Sequence, residues 1–331
     1  MDQLNQSAYE DVWTALGEQL GDVQRRAGLG AALRCLQEHQ IGSGFIQDDL
    51  SAIQRFRLNC PVNPERYFSA QYNPARGRRF QGAGRITPGA AELAINGGCF
   101  LCAENVWWQH QGAETGYHLP LAGARYTAWM NPFPLLPGHA VIASREHRPQ
   151  HWQAERGLAL TALARDLLEL SVELPDWLCF YNGVGAGASI PHHLHYHAIP
   201  RAPGYECLPL ERATSASDYP LHFMRWQGSK AAVLDQSLPW LDSWSAGPGA
   251  QPEASANIIA LVRSDQEGVT LYFIPRHQQR SRAEGLDGVI GGFEALGEIV
   301  CSSDEALAKL ASGRVDYFTI ERMLAEVSVT L

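Results

Sequence analysis

The feature that most constrains this chain is a glycine-rich loop followed by closely spaced histidines, in the stretch 181–201, Y-N-G-V-G-A-G-A-S-I-P-H-H-L-H-Y-H-A-I-P-R. Four of the chain's twelve histidines fall at positions 192–197. Residues two apart on a β-strand point to the same face, so His193, His195 and His197 would line one face, with apolar neighbours entering a core. The alternatives are a solvent-exposed strand or a metal-binding tract without catalysis.

The net charge and its distribution narrow the possible partners. The 331 residues carry a formal charge of −9, which argues against bulk binding to nucleic acid or anionic membranes. Between positions 55 and 85 the balance reverses, because Glu65 is the single acid among seven arginines. These are Arg55, Arg57, Arg66, Arg76, Arg78, Arg79 and Arg85. The cluster either holds phosphate through bidentate guanidinium contacts or forms a solvated basic loop.

Targeting signals and cysteine usage suggest a cytoplasmic protein. The first residues lack the basic and apolar regions of a signal peptide, and no stretch reaches the roughly 18 apolar residues of a membrane span. The seven cysteines are an odd, scattered set, which fits a reducing compartment better than a disulfide framework. We therefore expect no membrane and no nucleic-acid partner.

The hydrophobic periodicity predicts an α+β protein. Helical spacing predicts helices over 8–40, 150–174, 304–310 and 316–327, with Asp304 as an N-cap. Strands are predicted over 126–130, 140–143, 177–181 and 193–199, with a later hairpin of 256–262 and 269–274. Two segments, 59–90 and 204–255, are predicted to have irregular structure. The sequence I-P-R ends both the histidine strand and the later hairpin, at 199–201 and 274–276, which is a weak sign of a duplicated half.

A C-x-x-C pair, Cys99 and Cys102, lies in a turn rich in glycine and asparagine. Such a pair can be redox-active, bind zinc or simply be two buried thiols. Zinc requires two further ligands, for which His147 and His193 are the candidates. The resulting Cys₂His₂ site would be closed and structural, and it would clamp the N-terminal segment to the histidine strand.

The central histidine of the alternating trio, His195, is the natural nucleophile toward phosphorus. The glycine loop leaves backbone N–H groups free to approach phosphate oxygens, and Ser189 and Asn182 can add side-chain donors. Attack on an α-phosphorus would give a nucleotidyl-histidine. Phosphate, a sugar phosphate or water would then release the nucleotide.

These motifs resemble the histidine triad (HIT-like) superfamily, in which H-φ-H-φ-H is followed by a hydrophobic-Pro-Arg ending. The segments Q-Y-N-P-A-R, C-F-L-C-A-E-N, M-N-P-F-P-L-L-P-G-H and S-R-E-H-R-P-Q are similar to the branch that contains galactose-1-phosphate uridylyltransferase and diadenosine tetraphosphate phosphorylase. Within that branch, the sequence looks most like an uncharacterised bacterial group. The similarity covers roughly residues 70–203, and several motifs in the same order are more specific than any one alone.

The resemblance implies a HIT-like α+β fold of two halves, each with an antiparallel sheet and flanking helices, the second half being degenerate. The implied domains are an N-terminal helical segment (1–60), a catalytic half (61–203) and the second half (204–331). The implied metal ligands for a structural Zn²⁺ are Cys99, Cys102, His147 and His193. The implied catalytic residues are His195, His197 and Ser189, and the implied substrate-binding residues are Asn131, Asn182, Gly185, Ser189, Arg76 and Arg79.

The chain departs from the branch at two places. His197 stands where its transferases and phosphorylases usually carry glutamine, and the spacing before His193 is one residue longer, with His192 as an exposed bystander. The leading interpretation is a nucleotidyltransferase or phosphorylase acting on a nucleoside diphosphate-sugar or a dinucleoside polyphosphate. Its oligomeric state is left open between a monomer and a homodimer. Alternatives are a hydrolase with the same intermediate, a non-catalytic nucleotide-binding protein stabilised by zinc, and a metal-dependent hydrolase with the triad as ligands.

Overall fold

The structure is a computed structural model that describes residues 6–46, 50–80, 99, 101–102, 105, 116–121, 124–201, 207–215, 218–278, 280–281, 286 and 288–329. It confirms the predicted α+β class. No helix within these ranges combines the length and the apolar character needed to cross a bilayer.

Helices and strands are interspersed along the chain. The helices are α1 (Gln6–Ala27), α2 (Leu29–Gly42), α3 (Leu160–Glu173), α4 (Pro209–Arg212), α5 (Lys230–Ala246), α6 (Gly292–Ala295), α7 (Asp304–Ala311) and α8 (Tyr317–Glu326). The strands are β1 (Gln54–Cys60), β2 (Asn63–Tyr72), β3 (Tyr117–Leu121), β4 (Ala124–Met130), β5 (Ala140–Ser144), β6 (Trp177–Asn182), β7 (His195–Pro200), β8 (Met224–Gly228), β9 (Ser255–Val262), β10 (Val269–Arg276) and β11 (Glu298–Cys301). A 3₁₀ helix, Pro74–Phe80, follows β2.

Eight strands form one antiparallel sheet in the order β3-β4-β5-β7-β6-β9-β10-β8. Two successive units, β5-α3-β6-β7 and β8-α5-β9-β10, share the order strand, helix, hairpin. The units meet at β6 and β9, where Leu178 pairs with Leu261 and Asn182 with Asn257. The strands of the two predicted halves are therefore hydrogen-bonded into one continuous sheet. The domain boundaries at residues 60 and 203 stay a prediction.

The large sheet is covered on both faces. Helices α1, α2, α3 and α5 share one apolar core with residues of one face, including Tyr126, Tyr196 and Phe273. Residues of the other face, including Phe180 and Ile274, pack with the C-terminal helices and with a small sheet of order β1-β2-β11. Burial on both faces explains why β9 and β10 are nearly continuous runs of aliphatic and aromatic residues.

The two helical predictions in the first half need correction at their boundaries. The predicted helix over 8–40 is two helices, because the chain turns at Gly28, whose φ of 83° favours glycine. The predicted helix over 150–174 begins only at Leu160. The preceding residues form turns in which Arg156 has a φ of 62°, and a side chain at Gly157 would collide with the carbonyl of His151.

Both segments predicted to be irregular contain regular structure. Residues 59–72 belong to the β1–β2 hairpin, while 81–98 lie outside the described residues. The segment 204–255 contains β8 and the long helix α5, whose internal Pro239 interrupts the sequence signal of a helix. The N-cap of α7 is Ser303 rather than Asp304, because Ser303 Oγ accepts the N–H of Ala306.

Candidate functional site

The structure brings Cys99, Cys102, His147 and His193 together in one cluster. One side-chain donor atom from each lies within 4.8 Å of those of the others. His193 Nδ1 lies 3.3 Å from Cys99 Sγ and 3.6 Å from Cys102 Sγ, and His147 Nδ1 lies 3.2 Å from Cys102 Sγ. These four side chains could hold a metal ion.

Neighbouring hydrogen bonds orient the members of this cluster. His193 Nε2 donates to the carbonyl of Ser144 at 2.7 Å, so the lone pair of a neutral ring is on Nδ1 and faces the thiols. Asn105 is buried and its Nδ2 donates to the carbonyl of Cys99 at 2.8 Å, which fixes the turn. A hydrogen bond from Cys102 lowers the pKa of the Cys99 thiol, so the thiolate required for metal binding is favoured.

His195 is fully buried and held at its Nδ1 atom. Nδ1 lies 2.8 Å from the carbonyl oxygen of His193. A carbonyl can only accept, so Nδ1 carries the hydrogen and the lone pair of the neutral ring is on Nε2. Burial lowers the pKa of His195 to about 4, so the ring is neutral near pH 7. These are the two properties that a nucleophilic histidine needs.

A second chain of hydrogen bonds sets the tautomer of His197. The backbone N–H of Leu135 donates to His139 Nδ1 at 3.1 Å, and His139 Nε2 lies 3.0 Å from His197 Nδ1. Burial lowers the pKa of His139 well below its ordinary value, so its neutral ring carries its hydrogen on Nε2. That atom donates to His197, whose hydrogen must then be on Nε2. His139 ends the P-G-H motif before β5 but had no predicted role.

The glycine loop after β6 is shaped by direct backbone contact with residues that follow β10. Gly185 and Gly187 have φ angles of 82° and 101°, a region that other residues rarely adopt. A Cβ atom at Gly187 would lie 2.4 Å from the Cα of Gly291. The loop also folds on itself, since the N–H groups of Ala186 and Ala188 both donate to the carbonyl of Gly183.

Asn182 is buried at the start of this loop and is bonded to the second unit. Its Oδ1 accepts from Asn257 Nδ2 at 3.0 Å and from the N–H of Gly292 at 2.7 Å. Asn257 Nδ2 also donates to the carbonyl of Ala186, and Arg276 Nη1 donates to Asn257 Oδ1 at 2.8 Å. Arg276 is 1% exposed, and burial lowers its pKa to about 10. Sequence reasoning missed this buried polar network, because nothing marks a lone asparagine in an apolar strand as a partner of the loop.

The other predicted substrate-binding residues differ in their contacts and exposure. Asn131 Oδ1 accepts the N–H of Phe133 at 2.9 Å, and Arg76 Nη1 donates to the carbonyl of Phe133 at 2.7 Å. Both side chains are partly exposed, and Ser189 is exposed. Arg79 lies in the 3₁₀ helix Pro74–Phe80, and its side chain falls outside what the structure describes. His192 is exposed, and its ring centroid is 6.0 Å from the ring centroid of His147.

Among the comparisons with known proteins, those with solved structures show the fold. A family model described as "Domain of unknown function (DUF4922)" matches residues 44–200. No curated protein matches the sequence. Crystal structures of yeast Ap4A phosphorylase Apa2 are similar to this chain. The complex with AMP has a TM-score of 0.58 and 15% identity over 89% of this chain and 96% of that chain. The complex with Ap4A has a TM-score of 0.56 and 13% identity over 89% and 97%. The predicted HIT-like fold is thereby confirmed.

Proposed function

We propose that this protein transfers nucleotidyl groups through a covalent bond to His195, acting on a dinucleoside polyphosphate or a nucleoside diphosphate-sugar. The observation that carries the proposal is the 2.8 Å contact from His195 Nδ1 to the carbonyl of His193, which leaves the lone pair on Nε2. The similarity to structures of an enzyme with bound AMP and Ap4A supports a nucleotide substrate.

The reaction would proceed in two displacements. His195 Nε2 attacks the α-phosphorus, so an N–P bond forms and the P–O bond to the leaving group breaks with its electron pair on oxygen. Because His139 occupies its other nitrogen, His197 Nε2–H would donate a hydrogen bond to that oxygen, which leaves as part of an anionic phosphate group. In the second displacement an acceptor oxygen attacks phosphorus, the N–P bond breaks with its electron pair on His195 Nε2, and any proton on the acceptor passes to solvent.

The positive charge for the phosphates would come from the protein. Ser189 and the backbone N–H groups of the glycine loop can donate to phosphate oxygens, and Arg76 and Arg79 can neutralise them. Asn131 and Asn182 would contact the nucleotide and its phosphates. Because Asn182 Oδ1 already has two donors, we propose that Asn182 acts chiefly through its amide hydrogens and its hold on the loop.

A hydrolase with the same intermediate is the second candidate. His197 supports it, since a ring N–H at this position can donate a hydrogen bond both to a leaving group and to an attacking water. A site in which the three triad histidines jointly hold a metal fits less well. His193 Nδ1 faces two thiols, while His195 Nδ1 is occupied by a carbonyl.

We propose that the Cys₂His₂ cluster holds a structural Zn²⁺. Zinc bonds of about 2.3 Å to sulfur and 2.0–2.1 Å to nitrogen place tetrahedral ligands roughly 3.5 Å apart, close to the observed nitrogen–sulfur distances of 3.2, 3.3 and 3.6 Å. The ion would cross-link the knuckle to β7 and would not take part in the displacements. Metal analysis should find about one zinc per chain, lost in Cys102→Ser but retained in Cys35→Ser. A chelator-free preparation without zinc would contradict this assignment.

The central experiment labels the intermediate. The protein is mixed with α-³²P-labelled diadenosine tetraphosphate or nucleoside diphosphate-sugar and quenched in alkali. We expect an acid-labile, alkali-stable label on the wild type and on His192→Ala, and none on His195→Ala. Chasing the adduct with phosphate, a sugar phosphate or water separates phosphorylase, transferase and hydrolase. Turnover that depends on added metal and never labels the protein would overturn the proposal, and binding without turnover would favour a non-catalytic role.

Oligomeric state is a separate point. We propose a homodimer as the form to test first, by light scattering of the purified chain at several concentrations. A single species with the mass of one chain at every concentration would overturn it.

A further inference from the structure

Gln150 occupies a position between β6 and β7 where the two strands separate. The ladder between these strands ends at the pair Phe180 and His197, and continuing its register would place Asn182 opposite His195. The side chain of Gln150 lies at that step instead, because it bonds to the main chain of both residues. Gln150 is fully buried.

The carboxamide of Gln150 replaces the missing ladder bonds. Its Oε1 accepts the backbone N–H of His195 at 2.7 Å. Its Nε2 donates to the carbonyl of His195 and to the carbonyl of Asn182, both at 2.9 Å. One side chain thus satisfies both backbone groups of the histidine proposed as nucleophile, and it ties that residue to the origin of the glycine loop.

The main chain of Gln150 is fixed as well. Its N–H donates to the carbonyl of Pro191 at 3.0 Å, and its carbonyl accepts from the Tyr181 hydroxyl at 2.5 Å. Two residues earlier, the carbonyl of Arg148 accepts the N–H of Leu194 at 2.6 Å. Segment 148–150 therefore holds the residues before β7 in place from both its backbone and its side chain.

We infer that Gln150 is a positioning residue for His195: its carboxamide sets the spacing between the nucleophile's backbone and the glycine loop, and so aligns the attacking nitrogen with the bound phosphorus. This inference rests on the proposed function. Its physical basis is that displacement at phosphorus requires close, in-line approach, and an error of about 1 Å can cost on the order of 10²-fold in rate. A nucleotide would still bind to a site misaligned in this way, but it would react slowly.

The test compares Gln150→Met with Gln40→Met. Gln40 is also fully buried and also accepts a backbone N–H, that of Met130 at 3.0 Å, but it lies far from the triad in sequence and on α2. For Gln150→Met we expect the rate constant of adduct formation at saturating nucleotide to fall roughly 10- to 100-fold, with the nucleotide Kd changed less than about threefold. Gln40→Met should leave both quantities close to wild type. Equal rate constants in the two variants, or a loss confined to Kd, would overturn the inference.

Gln150→Glu is the second variant, for the case in which Gln150→Met does not fold. It retains the acceptor for His195 N–H but turns a carboxylate oxygen toward two carbonyls, and it should show the same loss of rate with Kd retained. Hydrogen exchange at the His195 amide separates this inference from the proposed function, since it needs no turnover. We expect a protected amide in the wild type and in Gln40→Met, and faster exchange in Gln150→Met, which lacks the acceptor for this amide. An unchanged exchange rate overturns the positioning role, whereas a wild type that forms no adduct overturns the proposed function alone.

Discussion

In the first strand–helix–hairpin unit β7 ends in Ile199-Pro200-Arg201, and in the second unit β10 ends in Ile274-Pro275-Arg276. Counting back from this shared ending aligns each triad histidine with a residue of β10 or the turn before it. His193, His195 and His197 correspond to Gly268, Thr270 and Tyr272. The second unit has kept the strand, the helix and the burial but has no imidazole at these positions.

The two arginines of the shared ending also differ in their partners. Arg201 forms a buried ion pair with Glu211 at 2.7 Å. Arg276 instead donates to Asn257 and to the backbone carbonyls of Val327 and Gln278. The comparison teaches that apolar burial preserves the architecture of both units while their polar residues have diverged. In the first unit these residues carry the proposed chemistry, and in the second they support the loop of the first.

The same substitution at two matched positions, His197 and Tyr272, should give the largest difference in turnover between the units. His197→Phe removes the hydrogen on Nε2 that would hydrogen-bond the leaving oxygen, so turnover should fall roughly 10²- to 10³-fold. Tyr272→Phe, at the corresponding position, should leave turnover unchanged and cost no more than about 1 kcal/mol in the free energy of unfolding. Steady-state kinetics and denaturant unfolding measure both. Similar kinetic losses in the two variants would show that the triad face is not confined to the first unit.

The His139–His197 contact predicts a smaller and non-additive effect. His139→Phe removes the donor that fixes the tautomer of His197, and turnover should drop roughly 10-fold or more. Because His139 acts through His197, adding His139→Phe to His197→Phe should cost little further activity. The drop should also shrink for substrates whose leaving groups have a low pKa. Fully additive losses in the double variant would contradict the relay.

Asn257→Ala tests whether the second unit supports the loop of the first. The substitution leaves Arg276 without one acceptor, and it removes the donor to Asn182 Oδ1 and the carbonyl of Ala186. We expect a loss of roughly 2–3 kcal/mol in the free energy of unfolding, together with weaker nucleotide binding. The control Thr270→Val, on the neighbouring strand, should affect neither by a comparable amount. Nucleotide affinity unchanged in a destabilised Asn257→Ala protein would break the proposed link.

The smallest expected difference between the two units lies in their helices and concerns the pH dependence of stability. In the first unit Asp166 on α3 accepts from the buried Tyr126 hydroxyl, whereas α5 of the second unit buries Ser237. Burial raises the pKa of Asp166 from 3.8 to about 6. The folded protein therefore binds more protons than the unfolded chain between about pH 4 and 6, so this group's contribution to stability falls as pH rises through that window.

Asp166→Asn should remove that fall. Two pKa units correspond to about 3 kcal/mol, which is the upper limit for the change in stability difference between variant and wild type from pH 4 to pH 7. Denaturant unfolding across this range measures the change, with Ser237→Ala as a variant whose difference from wild type should not depend on pH. A constant difference for Asp166→Asn would show that the carboxylate is stabilised by partners other than Tyr126.

The sequence predicts those features of the protein whose signal lies within a short stretch of the chain. Strand alternation predicted the faces of β7, since Leu194 and Tyr196 are buried opposite the triad, and spacing nominated the cluster of Cys99, Cys102 and His147. These patterns are local or involve rare residue types. Helix α5 was missed because Pro239 and a run of serines and tryptophans obscure its periodicity, although Ser229 caps its first turn.

The supporting residues of the site could not be predicted, because each acts through one contact with a distant part of the chain. Gln150 looks like an ordinary polar residue before a turn, and only the register of β6 and β7 reveals that it substitutes for a ladder pair. Asn257 sits in an otherwise apolar strand, and two of its partners, Asn182 and Ala186, come from the other unit. Tertiary neighbours, which local sequence does not specify, define both roles.

The hydrogen bonds between β6 and β9 have a consequence for how such a chain can be divided or recombined. Each unit covers the sheet edge that the other would expose, so a fragment ending after β7 would present the unpaired and largely apolar strand β6 to solvent and tend to aggregate. The contact of Gly187 with Gly291 adds a second dependence, because a side chain at Gly187 requires the backbone of Gly291 to move. The two units therefore cannot be exchanged independently between relatives. A functional chimera would need to inherit the loop and its supporting strand as a pair.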